Sequence, residues 1–389
     1  MHVIGAIKAR KTALAAIRRD IHAHPELAFE ETRTSDIVAR HLRDLGIETH
    51  EGIGKTGVVG IIRAGKSDRA IGLRADMDAL PITERNTFEH TSRHNGKMHA
   101  CGHDGHTTML LGAAEYLSKH RNFDGTVVLI FQPAEEGEGG APAMLDDGLL
   151  ERFPFESVYG MHNWPGLPAG SFAIHSGPVM ASSDKFEIHL HGRGAHAAMP
   201  HQGVDPITCG AAIVQSLQTL ISRSRDPFDP AVISVTQFHA GEAYNVVPDR
   251  AMLMGTVRAL THEMRDKLEA EMARVVEGVA AAHGVKADFQ YVRGYPPTVN
   301  SVDEAALCAE VAAALVGAAN ARTDMRPSMG AEDFAFFAEK RPGCYVWLGN
   351  GPGESGCMLH NPMYDFNDEI LPVGASYWVR LVEAALPAA

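Results

Sequence analysis

Positive charge is in short supply and is nowhere concentrated: 35 lysines and arginines stand against 48 aspartates and glutamates, a formal net charge of −13. A protein that grips nucleic acid or an anionic membrane surface needs a basic patch or stripe, and none is present. Long apolar runs are missing too. The longest, such as Thr126 to Phe131, have the length of a strand and not of a bilayer span. The first residues, Met1-His-Val-Ile-Gly-Ala-Ile-Lys-Ala-Arg-Lys, put charges where a signal peptide needs its apolar stretch, so a cytoplasmic protein is expected. Cysteine is scarce. Cys101, Cys209, Cys308, Cys344 and Cys357 form an odd, scattered set, which argues against a disulfide framework and leaves room for a chemical role for at least one of them. Internal repeats and low-complexity tracts are absent.

What is present suffices for a large core: 45% of 389 residues are apolar, a length that suggests two or three domains. Helical apolar spacing runs over Ile7 to Asp20 and Thr34 to Leu45, followed by buried-strand patterns at Val58 to Ile62, Ala70 to Ala75 and Thr126 to Gln132, with a helix at Thr107 to Ser118. A further short strand, Ser157 to Met161, precedes a turn-rich segment from Asn163 to Gly170. Alternation of this kind predicts a mostly parallel or mixed sheet with helices on both faces. The middle of the chain differs: strand Lys185 to His191, helix Pro206 to Ser222, strands Ala231 to Phe238 and Ala251 to Arg258, helix Glu263 to Ala282, and strand Val285 to Val292. That βαββαβ order is ferredoxin-like. The first style resumes with helix Asp303 to Leu315, strand Cys344 to Leu348 and a last helix from Glu369 to Ala385. The expectation is an α/β domain, residues 1–183 and 295–389, interrupted by a smaller α+β domain at 184–294.

Ligands of open α/β sheets gather beyond the carboxyl ends of strands. In this chain those positions hold Asp76-Met-Asp78, Glu135-Glu136 and His162, with His99-Ala-Cys101-Gly-His103-Asp104-Gly-His106 between them and His360 near the end. The glycine between Cys101 and His103 lets a thiolate and an imidazole face one ion. Together with Glu136, His162 and His360 they make a mixed S/N/O donor set that suits zinc or manganese-type ions. Adjacent carboxylates on a turning backbone point apart, so one of the pair Glu135-Glu136 can bind metal while the other reaches a water on it.

Several blocks carry a resemblance: Leu73-Arg-Ala-Asp-Met-Asp-Ala-Leu-Pro81, Met98-His-Ala-Cys-Gly-His-Asp-Gly-His106, Gln132-Pro-Ala-Glu-Glu-Gly137, Gly192-Arg-Gly-Ala-His196, Asn245-Val-Val-Pro-Asp249 and Gly330-Ala-Glu-Asp-Phe334. In order and over nearly the whole chain, from His22-Ala-His-Pro-Glu26 to His360-Asn-Pro, they resemble the N-acyl-amino-acid amidohydrolases of the two-metal aminoacylase and carboxypeptidase clan, a group that includes hippurate and indole-acetyl-amino-acid hydrolases. The resemblance implies two divalent ions, zinc or manganese with cobalt or nickel as alternatives. It implies Cys101 as bridging ligand, with His103, Glu136, His162 and His360 completing the set. Glu135 would be the general base acting on a metal-bridged water, and Asp78 would orient a ligand. His196 would donate to the oxyanion, reaching across from a partner subunit, because the inserted domain is implied to be a lid that mediates a homodimer or higher homo-oligomer. The substrate would be a small N-acyl amino acid.

Alternatives remain open on individual residues. Asn245 and Arg258 resemble carboxylate-binding positions, and a guanidinium suits a bidentate clamp; equally, Arg258 fits a surface strand and Asn245 a turn before Pro248. His22, His24 and Glu26 fit caps and turns better than ligation. His106, Asp104 and His99 are expected to support the Cys101 loop, and Glu332-Asp333 fits either a place near the site or the acidic first turn of a helix. Competing activities are a dipeptidase or aminopeptidase of the same clan, a deacetylase of a biosynthetic N-acyl diamino acid, and a non-catalytic metal-binding protein. The last sits badly with a carboxylate kept at Glu135.

Overall fold

The computed structural model describes residues 1–352 and 357–388, which divide into two compact units. The first comprises Met1–Gly177, Val299–Arg326 and Asp333–Ala389; the second comprises Pro178–Thr298 and Pro327–Glu332.

In the first unit an eight-stranded mixed sheet runs in the order Glu48–Ile53, Gly57–Ala64, Gly125–Gln132, Ala70–Asp76, Ser157–Pro165, Gly343–Gly351, Phe172–Ala173, Ala321–Arg322. Its four central strands, from Gly125–Gln132 to Gly343–Gly351, are mutually parallel. Every residue of Ala70–Asp76 is buried, and Gly125–Gln132 (GTVVLIFQ) is nearly so. Strands covered on both faces have no polar side to present, which explains runs of β-branched residues in place of alternation. On one face Leu348 approaches the helix Leu371–Ala385 at Gly374, and that helix packs on His103–Lys119 and Val302–Val316. On the other, Tyr345 meets Phe334 of the helix Phe334–Lys340, which packs on Gly140–Asp146.

The chain passes from Ala70–Asp76 through the helix His103–Lys119 to the neighbouring strand Gly125–Gln132, then through Gly140–Asp146 on the opposite face to Ser157–Pro165, the neighbour on the other side. The helices that follow the neighbouring strands Ala70–Asp76 and Gly125–Gln132 thus lie on opposite faces, which opens a crevice at the carboxyl ends of the two strands, the switch point where such sheets bind ligands.

The helical pattern from Ile7 to Asp20 is two helices, Gly5–Ala9 and Lys11–Ala23, broken at Arg10. The helix expected from Thr107 begins four residues earlier, at His103, and Glu48–Ile53 is a strand that its polar sequence conceals.

The second unit has a four-stranded antiparallel sheet ordered Ala231–Ala240, Arg250–Ala259, Ser183–His191, Lys286–Tyr295, with helices Pro206–Thr219 and His262–Ala282. Its order along the chain and in the sheet is ferredoxin-like. Alternate residues Phe186, Ile188 and Leu190 enter a core with Ile213, Leu217, Leu268 and Met272 that is separate from the core of the first unit.

Candidate metal centre

Five segments of the first unit converge beyond the parallel strands. Asp76 ends the strand Ala70–Asp76 and Asp78 follows it, Glu135 and Glu136 follow Gly125–Gln132, and His162 lies in Ser157–Pro165. Cys101 and His103 sit at the start of His103–Lys119, and His360 follows Gly343–Gly351. Gly102, between the cysteine and the histidine, has φ +98°, and a Cβ there would lie 2.1 Å from Asn163 Oδ1, so only glycine lets the turn seat both donors. Ala134 and His360, with φ 53° and 64°, are two of the four non-glycine residues with left-handed backbone among the described residues. Strain of this kind persists only where surrounding contacts over-determine it.

His162 Nδ1 donates to the Asn163 carbonyl at 2.7 Å, leaving the Nε2 lone pair directed at Cys101 Sγ, 3.3 Å away. His103 Nδ1 donates to Asp78 Oδ1 at 3.1 Å, and its Nε2, fully buried, has no hydrogen-bond partner. Asp78 also accepts the Glu136 backbone N–H at 3.0 Å, so it holds two of the expected ligands. Glu136 Oε1, likewise buried without a hydrogen bond, lies 3.2 Å from His360 Nε2 and 3.9 Å from His103 Nε2. His360 is tied in by its own N–H, which donates to Ala100 O at 2.8 Å.

Donor atoms of Cys101, His103 and His162 lie within 4.8 Å of one another, and so do those of Cys101, Glu136 and His360. Two triads thus share one thiol. Buried polar atoms without a hydrogen-bond partner are costly unless a cation fills the gap between them. The field points the same way. Burial opposes charge on His103, yet Asp76, Asp78 and Glu136 outweigh it and raise its pKa to about 10. Burial, with Glu136 and Glu135 beside it, pushes the Cys101 thiol up, and burial holds His162 neutral. Surroundings that favour a proton on His103 this strongly would also favour a metal cation in its place, and Cys101 would bind such a cation as its thiolate. The residues therefore fit a pair of divalent ions.

Around these donors lies a network of which the sequence pointed to single members, His106 and Asp333, and not to their connections. His106 joins Asp76 Oδ1, 2.6 Å from its Nδ1, to the Asn163 N–H, which donates to its Nε2 at 3.0 Å. Arg74, fully buried, donates to Asp76 Oδ2 at 2.7 Å, Gln132 Oε1 at 2.7 Å and Asp333 Oδ1 at 2.9 Å. Glu135 is buried, with the Asp333 N–H directed at its Oε1 across 3.4 Å. Asp333 is the N-cap residue of Phe334–Lys340, whose first turn holds no acidic residue, so the reading as an acidic first turn does not apply.

Residues at the chain's start are structural. Glu26 accepts the N–H groups of Arg33 and Thr34 at the start of Thr32–Asp44. His24 bonds the Asp20 carbonyl, and His22 is paired with Asp104 and Glu84.

In the second unit, His196 pairs with Val246 in a short antiparallel ribbon, and Ala197 N donates to Asn245 O, so His196 and Asn245 are neighbours. Both are exposed. The Ala198 N–H donates to His196 Nδ1 at 3.1 Å, which in the neutral ring leaves the hydrogen on Nε2, free to donate outward. Arg258 is half-buried and lies at the other end of Arg250–Ala259, opposite Val232 and away from Asn245.

A donor set that seeks cations, with a further carboxylate beside it at a sheet's switch point, is the constitution of a metal-dependent hydrolase, and this chain is one. It belongs to peptidase family M20/M25/M40, whose sequence pattern matches residues 72–384. It is 43% identical over 381 residues to the hippurate hydrolase of Campylobacter jejuni, covering 98% of each chain. To the N-acetylcysteine deacetylase of Bacillus subtilis it is 40% identical over 383 residues, covering 98% of this chain and 99% of that one. Among solved structures, a dinuclear metal-binding peptidase of the M20 family from Bacillus subtilis aligns with a TM-score of 0.86 at 37% identity, covering 98% of this chain and 100% of the other.

Proposed function

We propose that the protein hydrolyses the amide bond of N-acyl amino acids, releasing a carboxylate and the free amino acid. The observation that carries the reading is the pair of donor triads sharing Cys101 with Glu135 alongside. Cys101, His103 and His162 would hold one divalent ion and Cys101, Glu136 and His360 the other, with zinc or manganese favoured by the mixture of thiolate, imidazole and carboxylate. Bound there, such ions supply acidity to a water and polarise a carbonyl oxygen.

The remaining steps belong to the chain. Glu135 would take the water's proton as the amide carbon is attacked and pass it to the departing amine, one carboxylate serving as base and then acid. Asp78 keeps His103 in the tautomer that presents Nε2 and holds the Glu136 backbone. His196, with Nε2 as its outward donor, would hydrogen-bond the oxygen on which negative charge develops. Asn245 and Arg258 would hold the substrate carboxylate. Since they lie apart within one unit, we propose that His196 and Asn245 on the one hand, and Arg258 on the other, act in a homodimer formed through the inserted unit, where Tyr244 and Val246 beside Asn245 are exposed apolar residues. A site that depends on a free thiol suits a reducing compartment, the cytoplasm.

The test is release of amino acid from N-acetyl, N-benzoyl and indole-acetyl amino acids and from plain dipeptides, before and after chelation and with zinc or manganese restored. Metal-dependent cleavage of acyl amino acids is expected, with the acyl preference naming the substrate. Preference for dipeptides with a free amine would replace the reading with a dipeptidase.

A further inference from the structure

The loop bearing Glu135 and Glu136 leaves the strand Gly125–Gln132 and re-enters the fold as the helix Gly140–Asp146, and its two feet meet. Gly140 N donates to Ala134 O at 2.9 Å, and a Cβ on Gly140 would lie 1.6 Å from Pro133 O. One fully buried carboxylate touches both feet. Asp333 Oδ1 and Oδ2 each accept from Gln132 Nε2 at 2.8 Å, and Oδ2 accepts the Ala141 N–H at 2.9 Å. Arg74 closes the frame, donating from Nη2 to Asp333 and from Nε to Gln132 Oε1. The backbone N–H of Asp333 is directed at Glu135 Oε1. Asp333 therefore acts twice on one group, through its side chain on the loop and through its main chain on the carboxylate.

We propose that Asp333 is a positioning residue for Glu135, and that the ring of Arg74, Gln132 and Asp333 aims the carboxylate. The inference rests on the reading of Glu135 as general base. Both oxygens of the Asp333 carboxylate accept hydrogen bonds, from a guanidinium, an amide and a backbone N–H, an arrangement that an amide side chain cannot reproduce, because its nitrogen would face another donor. Misplacing a reacting group by about 1 Å costs about 10²-fold in rate.

The test uses the metal-loaded enzyme with an N-acyl amino acid that it turns over. For Asp333→Asn the expected result is unchanged metal content, unchanged KM and a fall in kcat of about 10²-fold. Added to Glu135→Ala, the same change is expected to cost almost nothing further, since no carboxylate remains to be aimed. Gln132→Met, which takes the amide out of the ring and leaves Asp333 in place, is expected to repeat the pattern with smaller amplitude, and it carries the test if Asp333→Asn does not fold. Wild-type kcat in both variants, loss of metal, or the full penalty repeated on the Glu135→Ala background would overturn the proposal. If Glu135→Ala alone leaves kcat intact, the base assignment falls, and this inference with it, whatever the Asp333 variants do.

Discussion

His22 is enclosed by groups that decide its charge. Its Nδ1 lies 2.9 Å from Asp104 Oδ2 and its Nε2 3.2 Å from Glu84 Oε1, with Arg18, His90, His99 and Phe88 also around it. Burial and the Arg18 guanidinium oppose protonation, but the two carboxylates prevail and raise the pKa to about 9. A cation whose pKa is higher folded than unfolded contributes stability that is complete below the unfolded value of about 6.5 and is lost as pH rises through the folded value. Tm is therefore expected to fall between about pH 7 and about pH 10, and His22→Gln to lower Tm at neutral pH while flattening that alkaline slope. Scanning calorimetry across that range checks it; an unchanged slope in the variant would assign the titration elsewhere. The role was hidden in the sequence because His22 and Asp104 are 82 residues apart. The motif His22-Ala-His-Pro showed a turn, which is local, and not a buried ion pair, which is not.

At the scale of an element, the turn at Ala134 depends on a residue from a distant helix start. Glu31, the N-cap residue of Thr32–Asp44, reaches under the loop, where Oε1 accepts the Ala134 N–H at 2.8 Å and Oε2 accepts the Thr56 hydroxyl at 2.6 Å. Burial, despite these bonds, raises its pKa to about 7. A carboxyl with a raised folded pKa favours the protonated form, so its contribution declines as pH rises from the unfolded value of about 4.3 through about 7. Glu31→Gln, neutral at every pH and able to bond both partners, is expected to match or exceed wild-type stability above about pH 7. Glu31→Ala, which leaves the Ala134 N–H buried and unpaired, is expected to lose about 1–3 kcal/mol. Urea unfolding at two pH values separates the pair, and equal losses in both variants would defeat the argument. Elements with a strong period were legible: the apolar strands at Ala70–Asp76 and Gly125–Gln132, and the βαββαβ run. Hidden ones had ambiguous local chemistry, as with Gly140–Asp146, which opens on Gly-Ala-Pro, and the first turn of His103–Lys119, whose His-Asp-Gly-His sequence is buried by tertiary contacts and looks like a loop.

Across the whole molecule, the convergence of the donor residues was legible in part, because Glu136 and His162 stand at strands whose pattern is clear and the Cys101-Gly-His103 spacing falls between two such strands. The frame beneath them was not, since Arg74 and Asp333 are 259 residues apart and neither lies in a ligand spacing. The two separate cores make a physical prediction about metal. Asp76, Asp78, Glu135 and Glu136 crowd the triads, so removing cations leaves like charges facing one another in low dielectric. Ions that bind only the folded state stabilise it by about 4 kcal/mol at 1,000 times Kd. Every residue of both triads belongs to the unit formed by Met1–Gly177, Val299–Arg326 and Asp333–Ala389, whereas Pro178–Thr298 has its own core of Phe186, Ile188, Ile213 and Leu268. Chelation is therefore expected to lower the unfolding transition of the first unit and to leave that of the second in place, and Cys101→Ala, which breaks the donor common to both triads, to resemble the chelated protein whether or not metal is added. Calorimetry with a fluorescence probe for Trp347 and Trp378, both buried in the first unit, follows that transition separately. A shift of both transitions together would show that the units unfold as one, and no shift at all would place the ions outside the Cys101 triads.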